Sequence, residues 1–170
     1  MKLNENTSMN FEYDDKGELV YFIANIYELF GVEISYPGLR RVIRKAFRDS
    51  KRVTPIDTGL MRSSYTLQYM SNRRVMLFFD PNKILGKTRG SKKVTTYYPK
   101  YLVEKKATFN WMDILMNTFF LSLLAGVREI NRKHRNNDKK DKIIKTTAML
   151  AFYKLFKDSM KETIEKERMG

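Results

Sequence analysis

Apolar residues fall at helical spacing near the start of the chain: Leu19, Phe22, Ile23, Ile26, Leu29 and Phe30 step by three and four between Glu18 and Phe30. That spacing predicts one helix, ended by Gly31. Residues 1–17 are polar and close in the turn Asp14-Asp15-Lys16-Gly17. Ser35 followed by Pro37 predicts a second helix start, and Leu39, Val42, Ile43, Ala46 and Phe47 supply its apolar stripe. Its other face carries Arg40, Arg41, Arg44, Lys45 and Arg48. This helix must stop before Pro55, because a residue preceding proline is pushed out of helical geometry.

The pattern then changes period. Tyr65-Thr66-Leu67-Gln68-Tyr69 and Val75-Met76-Leu77-Phe78-Phe79 flank Ser71-Asn72-Arg73-Arg74 and predict a β-hairpin. Residues 81–96 read as a mobile loop, and Tyr97–Lys105 as a short strand or turn around Pro99. Asn110–Arg132 is expected as the third helix, capped by Asn110, and Arg132–Lys142 as a charged hinge. A final helix, Asp141–Arg168, aligns Met149, Phe152, Tyr153, Phe156, Met160 and Ile164 on one face. Such a face has to pack on its own domain or on another subunit. The expected fold is therefore α+β: a small, mostly antiparallel sheet, holding the hairpin and the 97–104 segment, flanked by helices. Three regions follow: an acidic N-terminal arm and helix (1–34), a core domain (35–134) and a C-terminal amphipathic helix (135–170).

Charge changes this picture from a generic domain to one with two unlike surfaces. The chain has 170 residues and a net charge of +14, but residues 1–35 hold two lysines against seven carboxylates, a net of −5. The remainder is correspondingly more basic. A basic body can face a polyanion such as nucleic acid, and an acidic head can dock on the basic surface of a neighbouring copy. The longest uncharged run, Ile114–Val127, covers fourteen residues, short of the roughly 18–20 needed to cross a bilayer. The N-terminus lacks the apolar run of a signal peptide.

Candidate chemistry is sparse. There is no cysteine and one histidine, His134, so thiolate chemistry, a multi-histidine metal site and a conventional triad are all disfavoured. Leu85-Gly86-Lys87-Thr88 is the end of a phosphate-binding loop in outline. The glycine that loop requires five residues earlier is Pro81, which offers no N–H. Glu12, Asp14, Asp15 and Glu18 form an acidic cluster with no supporting pattern downstream, and are read as a solvated arm. No catalytic, cofactor-binding or metal-ligating residue is expected. The candidates for contact with a polyanion or partner are Lys83, Lys87, Arg89, Lys92 and Lys93 in the basic loop, with Arg40 and Arg44 on the second helix.

The strongest local pattern is Thr54-Pro55-Ile56-Asp57-Thr58-Gly59-Leu60-Met61-Arg62-Ser63-Ser64. It packs a helix stop, a cap (Asp57 or Thr58), a glycine, an apolar anchor (Leu60) and a restart into eleven residues. This segment resembles the "P-x-D-T-G-x-L-R-x-S" signature of tail-completion proteins, the head–tail connector or minor tail proteins of tailed bacteriophages. Tyr97-Tyr98-Pro99-Lys100-Tyr101-Leu102-Val103-Glu104 is similar to that family's "Y-A-x-Y-V-E-x-G" strand, with Lys105 in place of the last glycine. Ala107–Met112 stands where the family opens its last helix, with Asn110 where a proline is usual. The similarity spans roughly residues 36–130, and its motif positions are Pro55, Asp57, Thr58, Gly59, Leu60, Arg62, Ser63, Tyr98 and Glu104.

The resemblance implies a non-enzymatic virion protein without cofactor, made in the host cytoplasm. It would form a ring, commonly six- or twelve-fold, between the portal or its adaptor and the tail, through which the genome passes. The N-terminal 34 residues and the final helix are then expected to make contacts between subunits or with other neck proteins, with DNA in the channel and no membrane. The alternative reading is a basic module that binds DNA or RNA.

Overall fold

The strand at the middle of the structure comes from the segment whose spacing predicts a helix. In the computed structural model, which describes residues 11–54, 59–104, 111–136, 144–154 and 157–158, β2 is Val20–Asn25. It lies between β1 (Glu12–Tyr13) and β4 (Arg74–Phe79), and β4 in turn pairs with β3 (Tyr65–Tyr69). The sheet order is β1-β2-β4-β3, and all its pairs are antiparallel. Only Ile26–Phe30, α1, is helical in the segment expected to be one helix. The reason is burial on both sides. Val20, Phe22 and Ala24 face the main core, while Leu19, Tyr21 and Ile23 join Met76 in a smaller cluster on the opposite side. A strand covered on both faces is apolar throughout and shows no alternation, so its residues also satisfy helical spacing. Asn25 ends the strand and starts α1 by accepting a hydrogen bond from the Glu28 amide at 3.0 Å. Gly31, at φ +71°, ends α1.

Within residues 11–34, two segments are strands of the sheet, and Phe11, Ile26, Leu29, Phe30 and Ile34 lie in the main core. Asp14, only 4% exposed, accepts hydrogen bonds from the amides of Glu18 (2.6 Å) and Leu19 (3.3 Å). The cluster read as a solvated acidic arm thus contributes one carboxylate to the β1–β2 turn.

Helix α2 (Leu39–Arg52) and helix α5 (Trp111–Asn136) cover the main-core face of the sheet. Leu39, Ile43 and Ala46 of α2 meet Phe119, Phe120, Leu123 and Val127 of α5 over Phe22, Val75, Leu77 and Phe79. The hairpin β3–β4 forms where the sequence places it, and its turn holds the α1–α2 connection. The Asn72 carbonyl accepts from the Ile34 amide at 2.7 Å, and its side chain accepts from the Ser35 amide at 2.9 Å.

Two further expectations are corrected. Residues 97–104 add no strand: Pro99–Glu104 is a short helix, α4. Proline's fixed φ and missing N–H suit the first position of a helix as well as they suit a turn. Tyr97 instead bridges two strands through its hydroxyl, which accepts from the Val20 amide (2.9 Å) and donates to the Phe79 carbonyl (2.5 Å). Of the hinge expected at 132–142, residues 132–136 are the end of α5, and 137–142 lie outside the described residues. Residues 144–146 are not helical, and the next helix, α6, covers 147–154. The Asn131 amide holds the backbone of Ile144 from both sides, at 2.8 and 3.0 Å. Met149 is fully buried in the main core and Phe152 packs against Phe120. Phe156, Met160 and Ile164 lie outside the described residues. Among the described residues, no helix is long and apolar enough to cross a membrane.

Candidate functional site

The signature segment is a corner between α2 and α3 (Leu60–Ser64). The Arg62 guanidinium reaches back to the end of α2 and donates through Nη2 to the carbonyls of Arg52 (2.7 Å) and Thr54 (3.1 Å). Terminal carbonyls of a helix lack intrahelical donors, so this side chain satisfies groups that water would otherwise have to reach. Gly59 occupies the N-cap of α3 at φ +72°, and its carbonyl accepts from the Ser63 amide at 2.9 Å. Pro55, Asp57 and Thr58 lie outside the described residues. The apolar anchor is Met61, which is buried; Leu60 is half-buried. The hydroxyls of Ser63 and Ser64 turn back on the carbonyls of Leu60 and Met61. Just beyond, Tyr65 is fully buried with its hydroxyl 3.0 Å from Ser50 Oγ, and that burial pushes the phenol well above its ordinary range.

Arg62 Nη2 and the hydroxyls of Ser63 and Ser64 are thus spent on the protein's own backbone, while Arg62 Nε and Thr54 Oγ1 are buried without a hydrogen-bond partner. Space is open where a Gly59 Cβ would stand, so a substitution there meets only the cost of the left-handed backbone. Gly59→Val is expected to lose about 1–2 kcal/mol or somewhat more, and Gly59→Asn less, in equilibrium urea unfolding. Equal stability of the valine variant and wild type would remove the structural role assigned to this glycine.

The fold brings one pair of expected residues together and separates others. Arg62 of the corner and Lys83, in the 3-10 turn Pro81–Lys83, both lie near Lys51 in the last turn of α2. Partial burial, then the charges of Lys83 and Arg62, hold the Lys51 amine below its ordinary range. Lys83 Nζ donates to Thr66 Oγ1 at 3.3 Å. Lys51 carries no feature that singles it out in sequence; its role is visible only once the turn and the corner are folded against each other. Arg40 lies elsewhere, its guanidinium 4.8 Å from the centre of the Tyr69 ring, and Arg44 is exposed on α2. Tyr98 is half-buried before α4, and Glu104 is the last residue of that helix.

Residues 81–96 are ordered into a small ribbon. Strands β5 (Thr88–Arg89) and β6 (Lys92–Lys93) pair antiparallel, with Thr88 opposite Lys93 and Arg89 opposite Lys92. Ile84 is fully buried at its foot, while Lys83, Lys87, Lys92 and Lys93 are exposed.

A cleft of about 540 Å³ opens between α2 and α5. Pro37, Val42, Ala125 and Ile130 give it an apolar floor, and Arg41, Lys133 and His134 stand at its rim. Beside it, Asp49 Oδ2 accepts from Lys45 Nζ and Ser122 Oγ, each at 2.7 Å, tying the two helices together. The Lys45 hydrogen bond holds the Asp49 carboxyl below its ordinary range despite partial burial. A carboxyl depressed in the folded state contributes stability above its unfolded value and loses it as pH falls through the folded one. The destabilisation caused by Asp49→Asn is therefore expected to be modest, about 0.2–1 kcal/mol near pH 6, and to shrink below about pH 4. Thermal melts of both proteins from pH 6 down to pH 2 check this; a gap that widens on acidification contradicts it.

Among the described residues, no group of three or more histidine, aspartate or glutamate side chains is placed to hold a metal ion. Comparison with family models, with curated proteins and with solved structures gives no match to this chain.

Proposed function

We propose that the chain is a structural, non-catalytic protein of a tailed-phage neck or tail, assembled as a ring between portal or adaptor and tail. The observation that supports this reading is the corner. The side-chain hydrogen bonds of Arg62 and Ser63 go to the chain's own backbone, and Gly59 supplies the left-handed turn, as in a folding motif. The reading rests on that first signature, because the second piece of the resemblance is helical here. Two unlike surfaces, the carboxylates near β1 and the cations of α2 and the ribbon, suit head-to-tail packing, which closes into a ring when the rotation between copies closes.

The test is the mass of the full-length protein by light scattering across concentration and salt, with electron microscopy of the largest species. Closed rings that loosen as salt rises are expected, since exposed charge pairs are screened. A monomer at every concentration and at low salt overturns the reading. A nucleic-acid-binding module is the second reading, favoured by the five cations of residues 83–93 with no carboxylate among them.

A further inference from the structure

We propose that the ribbon of residues 86–93 enters the major groove of duplex DNA while Lys83 and Lys51 at its foot hold phosphates. This goes beyond the ring and stands or falls independently of it.

The ribbon is shaped as a probe. Its neck is closed by the Gly86 amide on the Val94 carbonyl and the Val94 amide on the Lys87 carbonyl, both at 2.8 Å. Its tip turns at Gly90, at φ +65°. Ile84 and Val94 root it in the main core, whereas residues 85–88 and 90–93 are exposed. Paired strands lie about 4.8 Å apart and rise about 3.3 Å per residue, so four residues project roughly 13 Å. The B-form major groove is about 12 Å wide and 8.5 Å deep and admits a two-stranded ribbon.

The charge matches the groove. Residues 81–96 carry five cations and no carboxylate. The nearest acid in sequence, Asp80, is turned onto the Asn82 amide at 2.9 Å. At the foot, Arg62 bonds the Arg52 carbonyl next to Lys51, and α3 packs on the turn that carries Lys83, so three cations are gathered there. No carboxylate pairs with any of the three among the described residues. A line of phosphates would relieve the repulsion among these cations. With two residues per strand, the ribbon edge is too short to add a peptide strand, which disfavours a protein partner there.

The test measures binding of the full-length protein to a 20-base-pair DNA duplex and to the RNA duplex of the same sequence, by fluorescence anisotropy between 50 and 300 mM salt. Tighter binding to DNA is expected, by about tenfold, because the A-form major groove is too narrow for the ribbon. In the variant Lys87→Ala/Arg89→Ala/Lys92→Ala/Lys93→Ala, the slope of log affinity against log salt should fall by about 3–4, close to 0.9 for each of the four cations that no longer neutralises a phosphate flanking the groove. The charge-matched variant Arg41→Ala/Arg48→Ala/Arg128→Ala/Lys133→Ala should bind within about threefold of wild type. Thermal melts confirm that both variants fold. No DNA binding at 50 mM salt, equal binding of the two duplexes, or an equal loss in the charge-matched variant overturns the proposal. Light scattering on the same samples reports the ring separately, so a monomer that binds DNA through the ribbon would refute the assembly and leave this site standing.

Discussion

Phe22→Ala is expected to cost about 3–5 kcal/mol of folding stability, the range for truncating a fully buried aromatic. Phe22 is wholly inaccessible in the middle of β2, with Phe11 edge-on at 4.8 Å and Phe119 and Phe120 at 5.6 and 5.9 Å. Truncation would break three ring contacts and leave a void between sheet and α5 that neither side can close without moving backbone. Alanine also disfavours a strand, so no local gain offsets the loss, whereas in a helix it would add propensity. Equilibrium denaturation with an unchanged m-value would read the cost directly. A loss below about 1 kcal/mol would mean that Phe22 does not occupy the core of the sheet.

The second large effect sits at Gly126, where α5 packs on Val42 of α2. A Cβ on Gly126 would stand 2.4 Å from Val42 Cγ1 and 2.9 Å from Cγ2. Both are methyls of a stiff, branched side chain, so the strain passes to the helix axes. Gly126→Val is expected to destabilise by about 3 kcal/mol, at the upper end of overpacking costs and well above the propensity gained on leaving glycine. For a chain of this size that lowers Tm by roughly 6–12 °C. Val42→Ala in the same molecule should restore much of the loss, and the coupling in a double-mutant cycle measures the contact itself. Additive effects of the two substitutions would show that the helices do not meet there.

The elements that sequence pattern recovers are marked either by one wet face or by a flanking turn. Helix α2 alternates Leu39, Ile43 and Ala46 with exposed arginines, and the β3–β4 hairpin is bounded by polar turn residues. Strand β2 escapes because it has no wet face, so its run Val20-Tyr21-Phe22-Ile23-Ala24 carries no period to read. Residues 97–104 escape for a different reason: Pro99 is compatible with both a turn and a first helical position, and nothing local chooses between them. Membership of the α+β class is legible; the place of β2 in the sheet is not. The candidate site follows the same division. Gly59, Arg62 and Lys83 stand out individually in the sequence. Their neighbour Lys51 does not, because its importance arises from the approach of a turn thirty residues away.

The contact between Tyr36 and His134 gives the protein a natural spectroscopic label. Tyr36 Oη lies 3.1 Å from His134 Nε2, with the rings edge-on at 5.9 Å, so the end of α5 is pinned to the entrance of α2. His134 is the chain's sole histidine, and it stands at the rim of the α2–α5 cleft. One imidazole means one pair of resolved aromatic proton resonances, displaced by the ring current of a single tyrosine. Undocking of α5, or a molecule seated in the cleft, would move that pair, allowing both events to be followed at one residue in the unlabelled protein without any engineered probe.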